Sequence, residues 1–69
     1  MKEYKFEVGK YYKYKFADSW WKQVYVKRRT QHFVVLGNDK RYYIRKNMNY
    51  ESIFIVDIFG TFRVDSLPL

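Results

Sequence analysis

Residues Trp20–Arg29 read WWKQVYVKRR, and this stretch decides the fold class. Val24 and Val26 alternate with Tyr25 and Lys27, which is the period of two that is typical of a β-strand with one buried face. We interpret the valine side as the core side. The stretch therefore predicts a strand whose outer face is aromatic and basic.

The same alternation extends along the chain in both directions, and no stretch keeps a helical period for three turns. Gly9 marks a turn before the first strand, and residues 37–39 (Gly-Asn-Asp) form the clearest hairpin turn because these residue types tolerate a positive φ. The sequence predicts an all-β domain. Its other strands are expected over residues 10–16, 31–36, 40–46, 52–57 and 61–65.

Alternation also predicts which side chains face the core. Of the adjacent pair Trp20 and Trp21, one ring is expected to anchor the core and the other to stay partly exposed. The continuous apolar run at residues 33–36 leaves both facings of that strand open. Besides Val24 and Val26, the expected inward side chains are Tyr12, Tyr14, Phe16, Tyr42, Ile44, Phe62 and Val64.

Length and strand number together favour a small barrel. A single domain over residues 1–69 has room for five or six short strands, which can close into an SH3-like barrel with few open edges. An OB-like barrel is the alternative, although that fold usually needs a longer chain. With no cysteine, neither a disulfide nor a thiolate metal site stabilises the core.

The composition is both basic and aromatic. Fourteen Lys and Arg against seven Asp and Glu give a net charge of +7, and 23% of the residues are Phe, Trp or Tyr. Such a charge attracts polyanions, and so many rings leave some on the surface. The first ten residues are charged and no membrane-length apolar run occurs, so we expect a cytoplasmic protein with no membrane partner.

Residues for catalysis are scarce. His32 is the single histidine, and the paired His or Cys spacing of a zinc site is missing. No nucleophile elbow, phosphate-binding loop or dinucleotide fingerprint occurs. The seven carboxylates mostly fall at predicted turns or beside Lys and Arg. We therefore expect no enzyme activity, no cofactor and no metal site.

The candidate binding site comes from the outer faces of two predicted strands. Rings that stack on bases and cations that follow phosphates suit single-stranded nucleic acid, which is bound with little sequence preference. The alternative is that these rings only cover the barrel while the cations keep it soluble. The predicted site residues are Trp21, Tyr25, Lys27 and Arg29 on the first strand and Arg41, Tyr43 and Arg45 on the second.

Other partners fit the same surface. Exposed Tyr, Trp and Arg are the residue types enriched at protein interfaces, so a protein–protein interaction module is the second hypothesis. The surplus aromatic residues also allow a homo-oligomer. An inhibitor that mimics DNA is disfavoured because such a protein is acidic.

One segment resembles known sequences. Residues 21–35, WKQVYVKRRTQHFVV, followed by a glycine turn and RYYIR at residues 41–45, resemble short uncharacterised SH3-like proteins of bacterial phages and mobile elements. Those proteins share the pattern V-x-K-R-T-x-x-F-V after a tryptophan-containing strand, and this chain departs from it by one additional arginine, Arg28 or Arg29. The resemblance covers half of the chain. It implies an SH3-like fold and an accessory factor or host-directed inhibitor, without assigned chemistry.

Overall fold

The structure, a computed structural model, describes residues 2–17 and 20–67, and within them the chain is all-β, as predicted. No helix in this part of the chain has the length and apolarity that crossing a bilayer requires. The strands are β1 (Tyr11–Ala17), β2 (Trp20–Arg29), β3 (Phe33–Leu36), β4 (Arg41–Tyr43), β5 (Arg45–Lys46), β6 (Glu51–Asp57) and β7 (Gly60–Asp65).

The strands form two antiparallel sheets. One sheet has the order β1-β2-β3-β4, and the other has the order β5-β6-β7. In the described residues no strand of one sheet pairs with a strand of the other, so the hydrogen-bonded ladders do not close into a barrel. The sheets meet through side chains, for example where Tyr14 of β1 packs 5.8 Å from Phe62 of β7, measured between ring centroids.

The chain changes sheets at Ile44. The sequence predicts one strand over residues 40–46, but the structure divides it into β4 and β5. The Ile44 N–H donates to the His32 carbonyl at 2.8 Å, on the side of the four-stranded sheet, whereas Lys46 pairs with Glu51 in the other sheet. Such a corner is typical of orthogonal sheet packing. Tyr42 and Ile44 pack against the core, as predicted.

The core lies between the two sheets. Val26 and Val64 are fully buried, and Val24 and Phe62 pack partly buried against them, which confirms their predicted facing. The buried residues are Phe6, Tyr14, Val26, Val34, Leu36, Ile53 and Val64. Since Val34 and Leu36 point inward, the open question of the β3 facing is answered, and Phe33 lies on the outer side.

Both tryptophans are exposed, which corrects the prediction that one of them anchors the core. Trp20 is 64% exposed and Trp21 is 50% exposed. Phe16 instead fills this end of the core, with Phe59 and Phe62 packed 5.4 and 5.0 Å from it, measured between ring centroids. The pairing register also shifts between Lys15 and Ala17, where Trp20 joins the ladder.

The N-terminal segment, residues 4–10, runs along both sheets. The Tyr4 N–H donates to the Asn49 carbonyl at 2.7 Å, and the Gly9 N–H donates to the Val26 carbonyl at 2.8 Å. Gly9 has a φ of 88°, in agreement with the predicted turn. Phe6 is buried and packs edge-on against Tyr12 at a ring-centroid distance of 4.9 Å. The segment is therefore part of the core, which the alternation pattern of the sequence does not predict.

Candidate nucleic-acid interface

The outer face of the four-stranded sheet gathers most of the predicted site residues. Because Val24, Val26 and Val34 point inward, alternation places their neighbours on the opposite face. We call this surface the basic sheet face. Its side chains are Tyr11, Lys13, Lys15, Trp21, Gln23, Tyr25, Lys27, Arg28, Phe33, Val35, Arg41 and Tyr43.

One pair of rings lies on β1 and β2. Tyr11 and Tyr25 are opposite each other in the ladder, and their ring centroids are 5.0 Å apart. Trp21 lies farther along the same face, opposite Lys15. Rings therefore lie at both ends of this part of the face, with the ammonium groups of Lys13 and Lys15 beside them, and such an arrangement can stack bases while it neutralises phosphates.

A second pair of rings lies on β3 and β4. Phe33 is opposite Tyr43, with ring centroids 6.1 Å apart, and the Arg41 guanidinium lies 4.7 Å from the centre of the Phe33 ring. Tyr43 is 72% exposed. The contact of the Arg41 guanidinium with the Phe33 ring stabilises the pairing of β3 with β4, and the Tyr43 ring remains open to a ligand.

The two ring pairs are separated on the sheet. Tyr25 lies beside Gly37 of the turn after β3, while Tyr43 pairs with Phe33 at the beginning of β3. Tyr25 and Tyr43 are therefore about four residues apart along the strand direction, which is about 13 Å. They are also two strands apart across the sheet, which is about 10 Å. A ligand that touches both Tyr25 and Tyr43 therefore has to be extended and to cross the sheet diagonally.

Arg29 does not belong to this face, which corrects its predicted outward facing. The register shifts between Val26 and Arg28, so Lys27 is an extra residue in a β-bulge. The bulge places Arg29 opposite Val34, whose side chain is fully buried. The Arg29 guanidinium consequently points inward.

Arg29 binds Glu51 and the backbone of Phe6, and we call these three groups the Arg29–Glu51 clamp. Arg29 Nη1 and Nη2 lie 2.8 and 3.2 Å from the two carboxylate oxygens of Glu51, and Nη1 also donates to the Phe6 carbonyl at 2.8 Å. The Phe6 N–H donates to Glu51 Oε1 at 2.9 Å. The clamp joins β2 and β6 to the N-terminal segment.

Electrostatics inside the clamp favour the charged carboxylate. Glu51 is 3% exposed, and burial alone raises the pKa of its carboxyl group. Hydrogen bonds from Arg29 and from the Phe6 N–H, with the charges of Arg29 and Lys46, outweigh burial and hold the pKa below the ordinary glutamate value. The clamp is thus an ion pair with a structural role.

Two other predicted cations are placed differently from Arg41. Lys27 Nζ lies 2.5 Å from Asp39 Oδ1, and this hydrogen bond and charge lower the pKa of the Asp39 carboxyl group. Asp39 has a φ of 65° in the predicted turn. Arg45 lies in β5, beyond Ile44 and in the other sheet. The structure therefore keeps Lys27 on the basic sheet face in a paired state and leaves Arg45 outside it.

The face has cations that the predicted site omitted. Within residues 2–17 and 20–67, none of Lys13, Lys15 and Arg28 has an ion-pair partner, and the same holds for Arg41. Alternation over residues 10–16 already places Lys13 and Lys15 on the face opposite the core side chains, so the sequence pattern was sufficient to include them in the predicted site. Arg28 could not be found by alternation, because the bulge alone brings it to the outer face.

Net charge is divided unevenly along the sequence. Residues 10–43, which include the whole four-stranded sheet, have nine Lys and Arg against two Asp. Residues 1–9 have two basic and two acidic side chains, and residues 44–69 have three of each, so neither part has a net charge. The whole net charge of +7 therefore belongs to the part of the chain that forms the basic sheet face.

Two further points are whether the described residues could hold a metal ion and whether the chain is similar to known proteins. No three His, Asp or Glu side chains in this part of the chain come together as a metal ion would need. Comparisons with protein families, with curated proteins and with solved structures found no match. The basic sheet face, with its rings and its cations, is therefore the feature of the molecule that bears on function.

Proposed function

We propose that this chain is a non-catalytic module that binds nucleic acid weakly and with little sequence preference through the basic sheet face. The observation that carries the proposal is the combination of two ring pairs, which expose Tyr11, Tyr25 and Tyr43, with four cations that have no ion-pair partner within residues 2–17 and 20–67, all on one face of one sheet. The net charge of the chain lies in the same sheet. Electrostatic attraction and stacking thus act on the same ligand.

Single-stranded nucleic acid fits this face better than a duplex does. Tyr25 and Tyr43 offer ring faces, which stack only on bases that are not already stacked in a helix. Every base has such a face, so stacking gives little sequence preference. With few cations free to meet phosphates, we expect micromolar affinity that falls as salt increases.

We also propose an SH3-like fold for this chain and a role as an accessory protein of a phage or mobile element. Two antiparallel sheets around one core, with the chain changing sheets at Ile44, support an SH3-like barrel that is left open between β1 and β7. The resemblance of residues 21–35 to proteins of phages and mobile elements supports an accessory protein of such an element. A protein of this kind would act in the cytoplasm.

Fluorescence anisotropy with labelled single-stranded and double-stranded oligonucleotides tests the binding. We expect a slope of log K against log salt of about −3 for the single strand, from four phosphate contacts at about −0.7 each. The single strand should bind more tightly than the duplex. An absence of binding to both oligonucleotides at low salt would sink the proposal.

Replacing Tyr43 with alanine should weaken single-strand binding by about 1–3 kcal/mol, because one stacking platform is lost. Folding should be unaffected, since the Tyr43 side chain is 72% exposed. Phe59→Ala is the matched control, because its ring is 69% exposed but belongs to the β6–β7 hairpin. Equal losses in both variants would show that the basic sheet face is not the binding surface.

Replacing Asp39 with asparagine should strengthen single-strand binding. The change releases Lys27 from its ion pair, and asparagine tolerates the positive φ at this position. One more phosphate contact makes the salt slope more negative by about 0.7. Anisotropy over a salt series measures this slope. An unchanged slope would mean that Lys27 does not meet the ligand, and Asp57→Asn, which removes a carboxylate from the other sheet, controls for net charge.

A protein-interaction module is the second candidate, and one observation favours it. Phe54, Val56 and Ile58 are exposed on the three-stranded sheet and its turn, and that sheet is not the one that forms the basic sheet face. Exposed apolar side chains that lie together are typical of protein contacts.

A further inference from the structure

The β6–β7 hairpin carries an apolar surface that the proposed nucleic-acid site does not use. We call Phe54, Val56, Ile58 and Phe59 the hairpin patch; they are 40%, 79%, 91% and 69% exposed. Ile58 and Phe59 occupy the two central positions of the turn between Asp57 and Gly60, where polar residues and glycine are usual. The patch therefore costs solubility, and of its side chains Phe59 also packs edge-on against Phe16 at the end of the core.

The patch is large enough to form the centre of an interface. An exposed aromatic side chain offers about 150–250 Å², and the four side chains together expose on the order of 500 Å² of apolar surface. A standard interface buries about 800 Å² on each partner, with a polar rim around an apolar centre. The patch alone supplies more than half of that area, and the rest would come from the polar residues beside it.

Charge around the patch is balanced, unlike charge on the basic sheet face. Residues 44–69 have three basic and three acidic side chains. On the outer face of the hairpin, Arg63 Nε lies 3.2 Å from Asp65 Oδ1, and the Ser52 hydroxyl donates to the same carboxylate at 2.7 Å. A polyanion gains nothing here, and two copies of a chain with a charge of +7 repel each other least through this surface.

We propose that a second copy of this chain docks on the hairpin patch and forms a two-fold symmetric dimer. A surface that is apolar at its centre and has both Arg63 and Asp65 beside it can be complementary to its own two-fold copy. The basic sheet face cannot, because its charges have one sign. In such a dimer the two basic sheet faces remain uncovered. The inference is independent of nucleic-acid binding.

Sedimentation velocity over a concentration series tests the dimer. At about 0.15 M salt we expect the mass to rise toward twice the 8.6 kDa of one chain between about 10 μM and 1 mM protein. The double variant Val56→Ser, Ile58→Ser should raise the dimer dissociation constant at least about tenfold, because a two-fold interface counts each substitution twice. Both side chains are exposed in the monomer, so the variant should still fold, which circular dichroism checks.

Tyr43→Ser is the matched control, since it removes a side chain of similar exposure from the basic sheet face. It should leave dimerisation unchanged. Amide shifts in NMR spectra of the unmodified protein should change on dilution at β6, β7 and their turn, and this measurement needs no variant. It therefore decides the matter even if the double variant unfolds.

Three results would overturn the dimer. The first is a protein that stays monomeric at every concentration. The second is a dimer that Tyr43→Ser dissociates and the double variant does not, which would place the interface on the basic sheet face. The third is a monomer that co-sediments with phosphatidylcholine vesicles through Ile58, which would make a lipid surface the occupant.

Discussion

Replacing Arg29 with methionine is expected to lower the free energy of unfolding at pH 7 by about 3–5 kcal/mol, which is the usual cost of removing one partner of a buried ion pair. The Glu51 carboxylate would stay buried with only the Phe6 N–H as a hydrogen-bond donor from this cluster. The Phe6 carbonyl would also lose its bond to Nη1. Urea denaturation of both proteins measures the difference.

The stability of this variant should depend less on pH in the acidic range than the stability of the unmodified protein does. In the unmodified protein the pKa of Glu51 is lowered on folding. The ionised Glu51 therefore adds to the free energy of unfolding above its unfolded-state pKa, and this contribution is lost as the pH falls through its folded-state pKa. Without Arg29, burial of the Glu51 carboxylate is opposed only by the Phe6 N–H and the charge of Lys46, so its pKa should rise relative to that in the unmodified protein. The variant should therefore lose less stability than the unmodified protein as the pH falls from 7 towards the pKa of glutamate.

Two further variants separate the clamp from a general loss of charge. Arg28→Met removes the neighbouring exposed guanidinium and should change the unfolding free energy by less than about 0.5 kcal/mol. Arg29→Met combined with Glu51→Gln leaves no buried charge and keeps an acceptor for the Phe6 N–H, so much of the loss should be recovered. Equal destabilisation by Arg28→Met and Arg29→Met would refute the clamp.

Replacing Phe6 with alanine should cost about 3–5 kcal/mol, because a fully buried ring leaves a cavity behind. Phe6 is 1% exposed, and its ring packs against Tyr12. A domain typically has a stability of about 0.05–0.15 kcal/mol per residue, so this loss takes a large share of the total free energy of unfolding and should lower the unfolding temperature strongly. Thermal unfolding followed by circular dichroism measures the loss.

Val8→Ala is the control for Phe6→Ala, because Val8 belongs to the same N-terminal segment but is exposed. Its effect should stay within about 0.5 kcal/mol. If Phe6→Ala also cost less than 1 kcal/mol, the N-terminal segment would not be docked on the sheets.

The strands were largely predictable because their signals are local. Alternation at Val24 and Val26 identifies β2 with its full bounds, and turn residues such as Gly37 and Asp39 separate β3 from β4. Side-chain period and backbone tolerance of positive φ both act within a few residues. Local patterns therefore suffice for the fold class and for most facings.

The errors arise where contacts distant in sequence decide the structure. A β-bulge at Lys27 depends on the pairing of β2 with β3, and one extra residue turns Arg29 from the outer to the inner face. The segment that contains the buried Phe6 is held in place by Glu51, 45 residues away, which accepts a hydrogen bond from the Phe6 N–H. The division of residues 40–46 at Ile44 likewise depends on two sheets that the local pattern does not describe.

The predicted site was recovered in part. Trp21, Tyr25, Arg41 and Tyr43 lie on the basic sheet face, and Lys27 lies there paired with Asp39. Arg29 and Arg45 lie elsewhere. The partner of this face stays a prediction.

The uneven division of charge makes the molecule an electric dipole as well as a cation. In the field of a distant polyanion the chain experiences a torque that turns the four-stranded sheet forward before any contact forms. The molecule is 32 Å long, whereas the screening length is about 8 Å at physiological salt and about 30 Å at 0.01 M. This alignment therefore acts over the whole molecule in dilute salt and only within the last few ångströms of approach in the cell.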